Sequence, residues 1–173
     1  MTHWKLVAMA ACLATLVGCS PSAESTSPEH AALGKKFLLA EEPGGAVGII
    51  DFRESPPEDE QAAVTLVGRI GGGKLTWSNQ SATFLLSDPT HEIAAGEGHE
   101  CHSDNCPFCK GKTNAGHAQA IVMLTDGDGQ VPPVAARKLL PLAEGQTIVV
   151  SGRAEVNAIG QLVVHARGLY VRR

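Results

Sequence analysis

The sequence predicts a mainly β domain of five strands closed into a small barrel, with a short helix between the third and fourth strands. Three observations carry this. Apolar and polar residues alternate with period two from Ala63 to Ile70, the signature of a half-buried strand. The C-terminal stretch reads strand, turn, strand, with Asn157-Ala-Ile-Gly160 between two β-rich runs. Gly68 and Gly152 fall in mid-strand, where small closed barrels need bulges or tight coiling.

Taken in order, Ala31 to Glu42 predicts a short amphipathic helix using Leu33, Phe37 and Leu38, stopped by Pro43-Gly44-Gly45. Val47 to Phe52 is apolar and ambiguous between helix and strand by periodicity alone. Pro56 to Glu60 is a solvated loop. The first barrel strand places Val64, Leu66, Gly68 and Ile70 on one face. Gly71-Gly72-Gly73 ends it, and Leu75-Thr-Trp77 with Ala82 to Leu86 predicts a second, interrupted strand. The third runs from Ala120 to Thr125, and Asp126-Gly-Asp-Gly129 turns the chain. Val131 to Val134 pairs briefly, and Ala135 to Leu142 is a short helical piece. The fourth strand aligns Ile148, Val150, Gly152, Ala154 and Val156, and the fifth runs from Leu162 to Val171.

Three strands, a short helix and two strands is the order of an OB-like Greek-key barrel. A small β-sandwich is the alternative. The run Gly145-Gln-Thr-Ile-Val-Val-Ser-Gly152 with Leu162-Val-Val-His-Ala-Arg-Gly-Leu-Tyr-Val171 resembles the last hairpin of OB-like domains in exported bacterial proteins. More loosely, residues 33–173 resemble planctomycete-type lipoproteins carrying a Cys-Pro-Phe-Cys-type insert in such a barrel. That resemblance implies a fold and a compartment, and no activity.

The N-terminus reads as a targeting segment. Lys5 supplies positive charge, and Leu6 to Val17 is a mostly apolar run, shorter than the ~20 residues that a bilayer-spanning helix needs. Leu16-Val17-Gly18-Cys19 resembles the lipobox of bacterial lipoproteins, which implies cleavage before Cys19 and its lipidation. Residues 1–18 are then a signal peptide, 19–30 a lipidated cysteine and flexible tether, and 31–173 the domain. Each buried CH₂ of the acyl chains contributes about 0.8 kcal/mol, so several chains anchor stably. Ser20 after the lipidated residue favours the outer membrane over retention at the inner one. The chain carries 14 Lys and Arg against 18 Asp and Glu, which argues against a nucleic-acid partner, whose affinity rests on neutralising phosphates.

The chemistry concentrates between strands two and three, in an insertion at about 91–117. His91, His99, Cys101, His102, Cys106, Cys109 and His117 all fall there, and every cysteine beyond Cys19 is among them. So long a loop needs something to order it. Fixing Gly98 to Cys109 costs roughly 1–2 kcal/mol per residue. A structural zinc contributes about 10–16 kcal/mol, against about 3 kcal/mol for one disulfide across a short loop. Cys106-x₂-Cys109 has the spacing that lets two sulfurs reach one tetrahedral ion. The expected ligands are Cys101, His102, Cys106 and Cys109, with His99 and His117 as alternates. Zinc is the expected ion and copper the alternative, since thiolate and imidazole suit both. An exported protein also oxidises cysteines, so a Cys106–Cys109 or Cys101–Cys109 disulfide stands beside the metal reading. Haem attachment is disfavoured, because Lys110 and not His follows Cys109.

Three weaker signals have plainer readings. Gly68 to Leu75 falls one residue short of a P-loop, with Leu75 where a hydroxyl is needed, and reads as a glycine-rich connection. Asp126 to Gln130 begins like a calcium loop, but Val131 and Arg137 break the pattern, leaving a turn. Trp77 and Phe84 could form a stacking face, yet an acidic exported domain suggests that they fill the barrel. His165 is expected at the surface, opposite Leu162, Val164 and Ala166. No nucleophile motif appears. The functional expectation is a non-catalytic binding or interaction module for an unidentified protein or small molecule, anchored to the membrane and facing the periplasm. The alternative is a metal-handling or thiol-redox protein using Cys106 and Cys109.

Overall fold

The computed structural model describes residues 27–59, 62–90 and 116–173. Its elements are α1 (Pro28–Lys35), β1 (Val47–Gly48), α2 (Ile49–Glu54), β2 (Ala63–Ile70), β3 (Thr83–Ser87), β4 (Gln119–Leu124), α3 (Ala136–Leu139), β5 (Thr147–Val156) and β6 (Leu162–Val171). The protein is mainly β, with short helices, and five of its strands form a ring. β2 pairs with β3, β3 with β4, β4 with β6, β6 with β5, and β5 returns to β2. All these pairings are antiparallel except β4 with β6, which is parallel.

The alternation read from Ala63 to Ile70 is the burial pattern of β2: Val64, Leu66 and Ile70 face inward and their neighbours are more exposed. They meet Phe84 and Leu86 of β3, Val122 and Leu124 of β4, and the inward residues of β5 and β6. Each fully buried side chain of this size contributes roughly 1.5–3 kcal/mol. Gly68 is glycine because a Cβ there would stand 2.5 Å from the Leu86 Cγ. Gly152 lies at a register shift between β5 and β6, as the mid-strand glycine foretold, and a Cβ there would overlap the His165 carbonyl oxygen.

Several boundaries depart from expectation, each for a local reason. α1 begins at Pro28, inside the stretch assigned to the tether, because Ser27 caps it: its Oγ accepts the His30 amide at 3.2 Å. It ends at Lys35 and not near Glu42, because the following residues join the sheet. Leu39 donates to the Leu169 carbonyl at 2.8 Å, and Leu169 donates to Phe37 at 2.7 Å. The ambiguous 47–52 stretch splits into two parallel-paired residues (Val47 with Leu66, Gly48 with Val67) and the start of α2. Leu75 to Trp77 does not continue β3. Trp77 bridges antiparallel to Phe84, so that segment folds back onto the strand. Val131 to Val134 is no strand; Pro132 and Pro133 lack donors, and the Pro132 carbonyl accepts the Ala82 amide at 3.0 Å. α3 stops at Leu139 because Pro141 drives Leu140 into an extended conformation (φ −134°, ψ 143°).

Candidate functional site

β3 and β4 are the strands that flank the Cys/His segment. Their ladder runs from Thr83 opposite Met123 to Ser87 opposite Gln119, and one more bond, Asp88 N–H to the Ala118 carbonyl at 2.8 Å, closes it. Residues 88–118 therefore leave and re-enter the sheet at adjacent positions. Three sets of contacts hold these two feet.

The first is Asp88, which is buried. Its Oδ2 accepts the Ile50 amide at 3.0 Å, at the N-terminus of α2. Its Oδ1 accepts the Thr90 amide at 2.9 Å and the Thr90 hydroxyl at 2.6 Å. A carboxylate with three donors is a satisfied buried charge, so it ties α2 to the outgoing foot. Gly48 leaves the room, since a Cβ there would stand 2.8 Å from Asp88 Oδ2.

The second is the glycine run after β2. Ser87 Oγ donates to the Gly71 carbonyl at 2.6 Å, and Gln119 Nε2 donates to the Gly72 carbonyl at 2.5 Å. Gly72 has φ +88°, and a Cβ on it would overlap Ser87 Oγ. The Gly71 amide also donates to the Leu85 carbonyl at 3.0 Å, so the run is bonded to β3 and β4 and does not gather its amides into the cradle that phosphate needs. The third is Arg53 of α2. Its Nη2 donates to the Gly116 carbonyl at 3.2 Å and its Nη1 to the Gly160 carbonyl at 3.3 Å. This guanidinium joins the returning foot to the β5–β6 turn. Partial burial holds its pKa below the ordinary arginine value.

Of the residues expected to carry chemistry, His117 lies on the returning foot, half-buried and two positions before β4. Cys19, His91, His99, Cys101, His102, Cys106 and Cys109 lie outside the described residues, as does the signal peptide 1–18. Among the described residues no group of three or more His, Cys, Asp or Glu is placed to hold a metal ion. Among them, too, no helix is long and apolar enough to cross a membrane.

The plainer readings of the weak motifs match the geometry. Asp126 Oδ1 accepts the amides of Asp128 at 3.0 Å and Gln130 at 2.8 Å, forming a turn. Phe84 is buried, and Trp77 packs on it with ring centroids 5.7 Å apart. The Trp77 ring is covered by Arg137, 5.5 Å from its centroid, and its Nε1 donates to Glu144 at 3.1 Å. It is a packed side chain and not an open stacking platform. His165 is at the outer surface, with Nε2 3.1 Å from Glu155 Oε1.

Sequence reasoning missed two features. The role of Asp88 had no local signal, because its partner Ile50 is 38 positions away. A hollow lined by Arg153, His165 and Arg167 was also missed. The spacing of His165 and Arg167 puts both on one strand face, but only the β5–β6 register brings Arg153 beside them. No protein-family model matches the chain, and no curated protein is significantly similar to it.

Proposed function

We propose that this chain is a lipid-anchored, exported binding or interaction module: an OB-like Greek-key barrel that carries a zinc-stabilised Cys/His loop. The observation that carries this reading is the pair of feet at Asp88 and Ala118, held on one side of a closed ring. A ring so arranged can present a long segment without distorting its own sheet. The OB-like assignment draws support from the strand order. The first ring strand, β2, pairs with both β3 and β5, the third runs parallel to the fifth, and α3 lies between β4 and β5.

The metal rests on donor chemistry. Cys101, His102, Cys106 and Cys109 supply four soft or imidazole donors in nine positions, with His99 and His117 as alternates. The lipid anchor rests on Cys19 in its lipobox-like context, which supports a periplasm-facing domain, with the outer membrane favoured. The partner is a protein or small molecule recognised by the loop and the adjacent rim, and no catalytic step is assigned.

Elemental analysis of anaerobically purified chain, combined with a thiol count, tests the metal. The expected result is about one zinc per chain, loss of thermal stability on chelation, and no metal in the Cys106→Ser variant. Metal-free protein that cycles reversibly between dithiol and disulfide would replace this reading with the thiol-redox one. Retained stoichiometry in Cys106→Ser would show that other residues are the ligands.

A further inference from the structure

We propose that the end of the ring covered by α1 and α3 is a docking surface for an anionic lipid bilayer. The proposal rests on the lipid-anchored reading for its setting and on geometry for its place. α1 and α3 meet backbone to backbone, since a Cβ on Gly34 would overlap the Leu139 carbonyl oxygen. Beside that contact lie Lys35 and Lys36 at the end of α1, and Arg137 and Lys138 on α3, all four exposed. Neither 30–40 nor 130–143 contains an aspartate or glutamate, although the chain as a whole carries 18.

The surrounding acids do not cancel this charge. Asp126 and Asp128 line a hollow with Lys36 and Arg167, so two carboxylates there face two cations. Glu144 accepts Trp77 Nε1 at 3.1 Å, and Glu42 holds Arg172. Glu29 is on α1 but six positions before Lys35, outside the i+3 and i+4 spacing that would pair them. Lys35, Arg137 and Lys138 remain, and among the described residues none of the three is ion-paired. Arg137 lies 5.5 Å over the Trp77 ring, a contact that holds the side chain and leaves its charge intact. Leu38, 41 % exposed, adds an apolar residue beside the two lysines.

Two observations name a bilayer as the occupant. Ser27, the cap of α1, follows Cys19 by eight positions, and an extended chain of that length spans at most about 28 Å. An anchor at Cys19 therefore holds α1 close to the headgroups. Cations beside an apolar side chain also match an anionic interface, where each Lys or Arg adds its own increment of attraction. The consequence is an orientation. Ala118 leads into β4, whose Ala120 pairs with Leu162 at the start of β6, whereas Phe37 and Leu39 bond to Leu169 further along that strand. At about 3.3 Å per residue the two places are roughly 20 Å apart. With α1 and α3 on the membrane, the feet at Asp88 and Ala118 stand clear of it.

The test is vesicle co-sedimentation of the mature chain, residues 19–173, with Cys19→Ser so that no acyl group contributes. Its sole tryptophan is Trp77, beneath Arg137, so quenching by a lipid with a spin-labelled headgroup reports contact through this face. Saturable binding with quenching is expected on mixed phosphatidylglycerol–phosphatidylcholine vesicles and not on phosphatidylcholine alone. It should be lost at about 1 M salt, where the screening length falls to about 3 Å. Lys35→Gln and Lys138→Gln should each weaken it roughly fivefold with unchanged thermal melts. Lys74→Gln, in the glycine-rich run beside the feet, should leave it unaltered. Equal binding to neutral vesicles, binding without Trp77 quenching, or equal weakening by Lys74→Gln would each overturn the docking surface. Mass spectrometry of Cys19 in the full chain judges the anchor separately. A mature chain that ignores anionic vesicles although Cys19 is acylated refutes the docking alone, and one that binds them although Cys19 is unacylated removes the anchor alone.

Discussion

Two antiparallel pairs in this protein, β5–β6 and β3–β4, are joined in opposite ways. The first is closed by a tight turn that specifies itself. Asn157 Oδ1 accepts the amides of Ile159 at 3.1 Å and Gln161 at 2.9 Å, Asn157 N–H reaches the Gln161 carbonyl, and Gly160 takes φ +81°. The second is joined by residues 88–118 and keeps its register all the same. Burial of Phe84, Leu86, Ala120 and Val122 sets that register, because a slip by one residue would turn every inward side chain outward. Register can thus be written in a turn or in a core, and a core-written pair tolerates a long connection.

The largest test of this contrast is Phe84→Ala. Removing a fully buried ring from the core-written pair should cost about 3–5 kcal/mol, a large part of the stability of a domain of this size. Urea unfolding measures it, and a loss below about 1 kcal/mol would mean that the register is held elsewhere. Asn157→Ala should be milder, at about 1 kcal/mol, because it removes hydrogen bonds at an exposed turn while β5 and β6 keep their other pairings. A loss equal to that of Phe84→Ala would show that the turn governs more than its own hairpin.

The smallest effect concerns the open end of that hairpin. Arg172, just past β6, holds Glu42 with Nη2 2.6 Å from Oε1, and this hydrogen bond lowers the carboxyl pKa below its ordinary 4.5. A lowered carboxylate pKa contributes stability that is present above the unfolded value and lost as pH falls through the folded one. The pair is solvent-exposed, so the effect is slight. Glu42→Gln should lower the unfolding midpoint slightly at neutral pH, and the difference should shrink as the pH falls below the ordinary carboxylate value and the folded carboxyl takes up its proton. A difference that persists in acid would assign the effect to packing and not charge.

Much of the ring was legible in the sequence where one strand faces one core. β2 and β6 follow from local alternation and β-rich composition, and Gly152 announced the irregularity that it occupies. β1 was not legible, because two residues paired in parallel with Leu66 and Val67 leave no periodic trace. Nor was the fold-back of Trp77 onto Phe84, since a backbone bridge depends on the turn between them and not on side-chain period. The candidate site divides similarly. The Cys/His cluster is conspicuous because its donors are close in sequence. Asp88 and the Arg153–His165–Arg167 hollow are not, because each is assembled by pairing between distant segments.

The closeness of the two feet at Asp88 and Ala118 has an evolutionary consequence. Closing a flexible loop costs only about 0.6 kcal/mol more for each doubling of its length. A domain that already joins those positions by a backbone bond at 2.8 Å can therefore gain, lose or exchange residues between them at little expense. That makes the gap a natural cassette position, where one ring could acquire new recognition chemistry without inventing a new core.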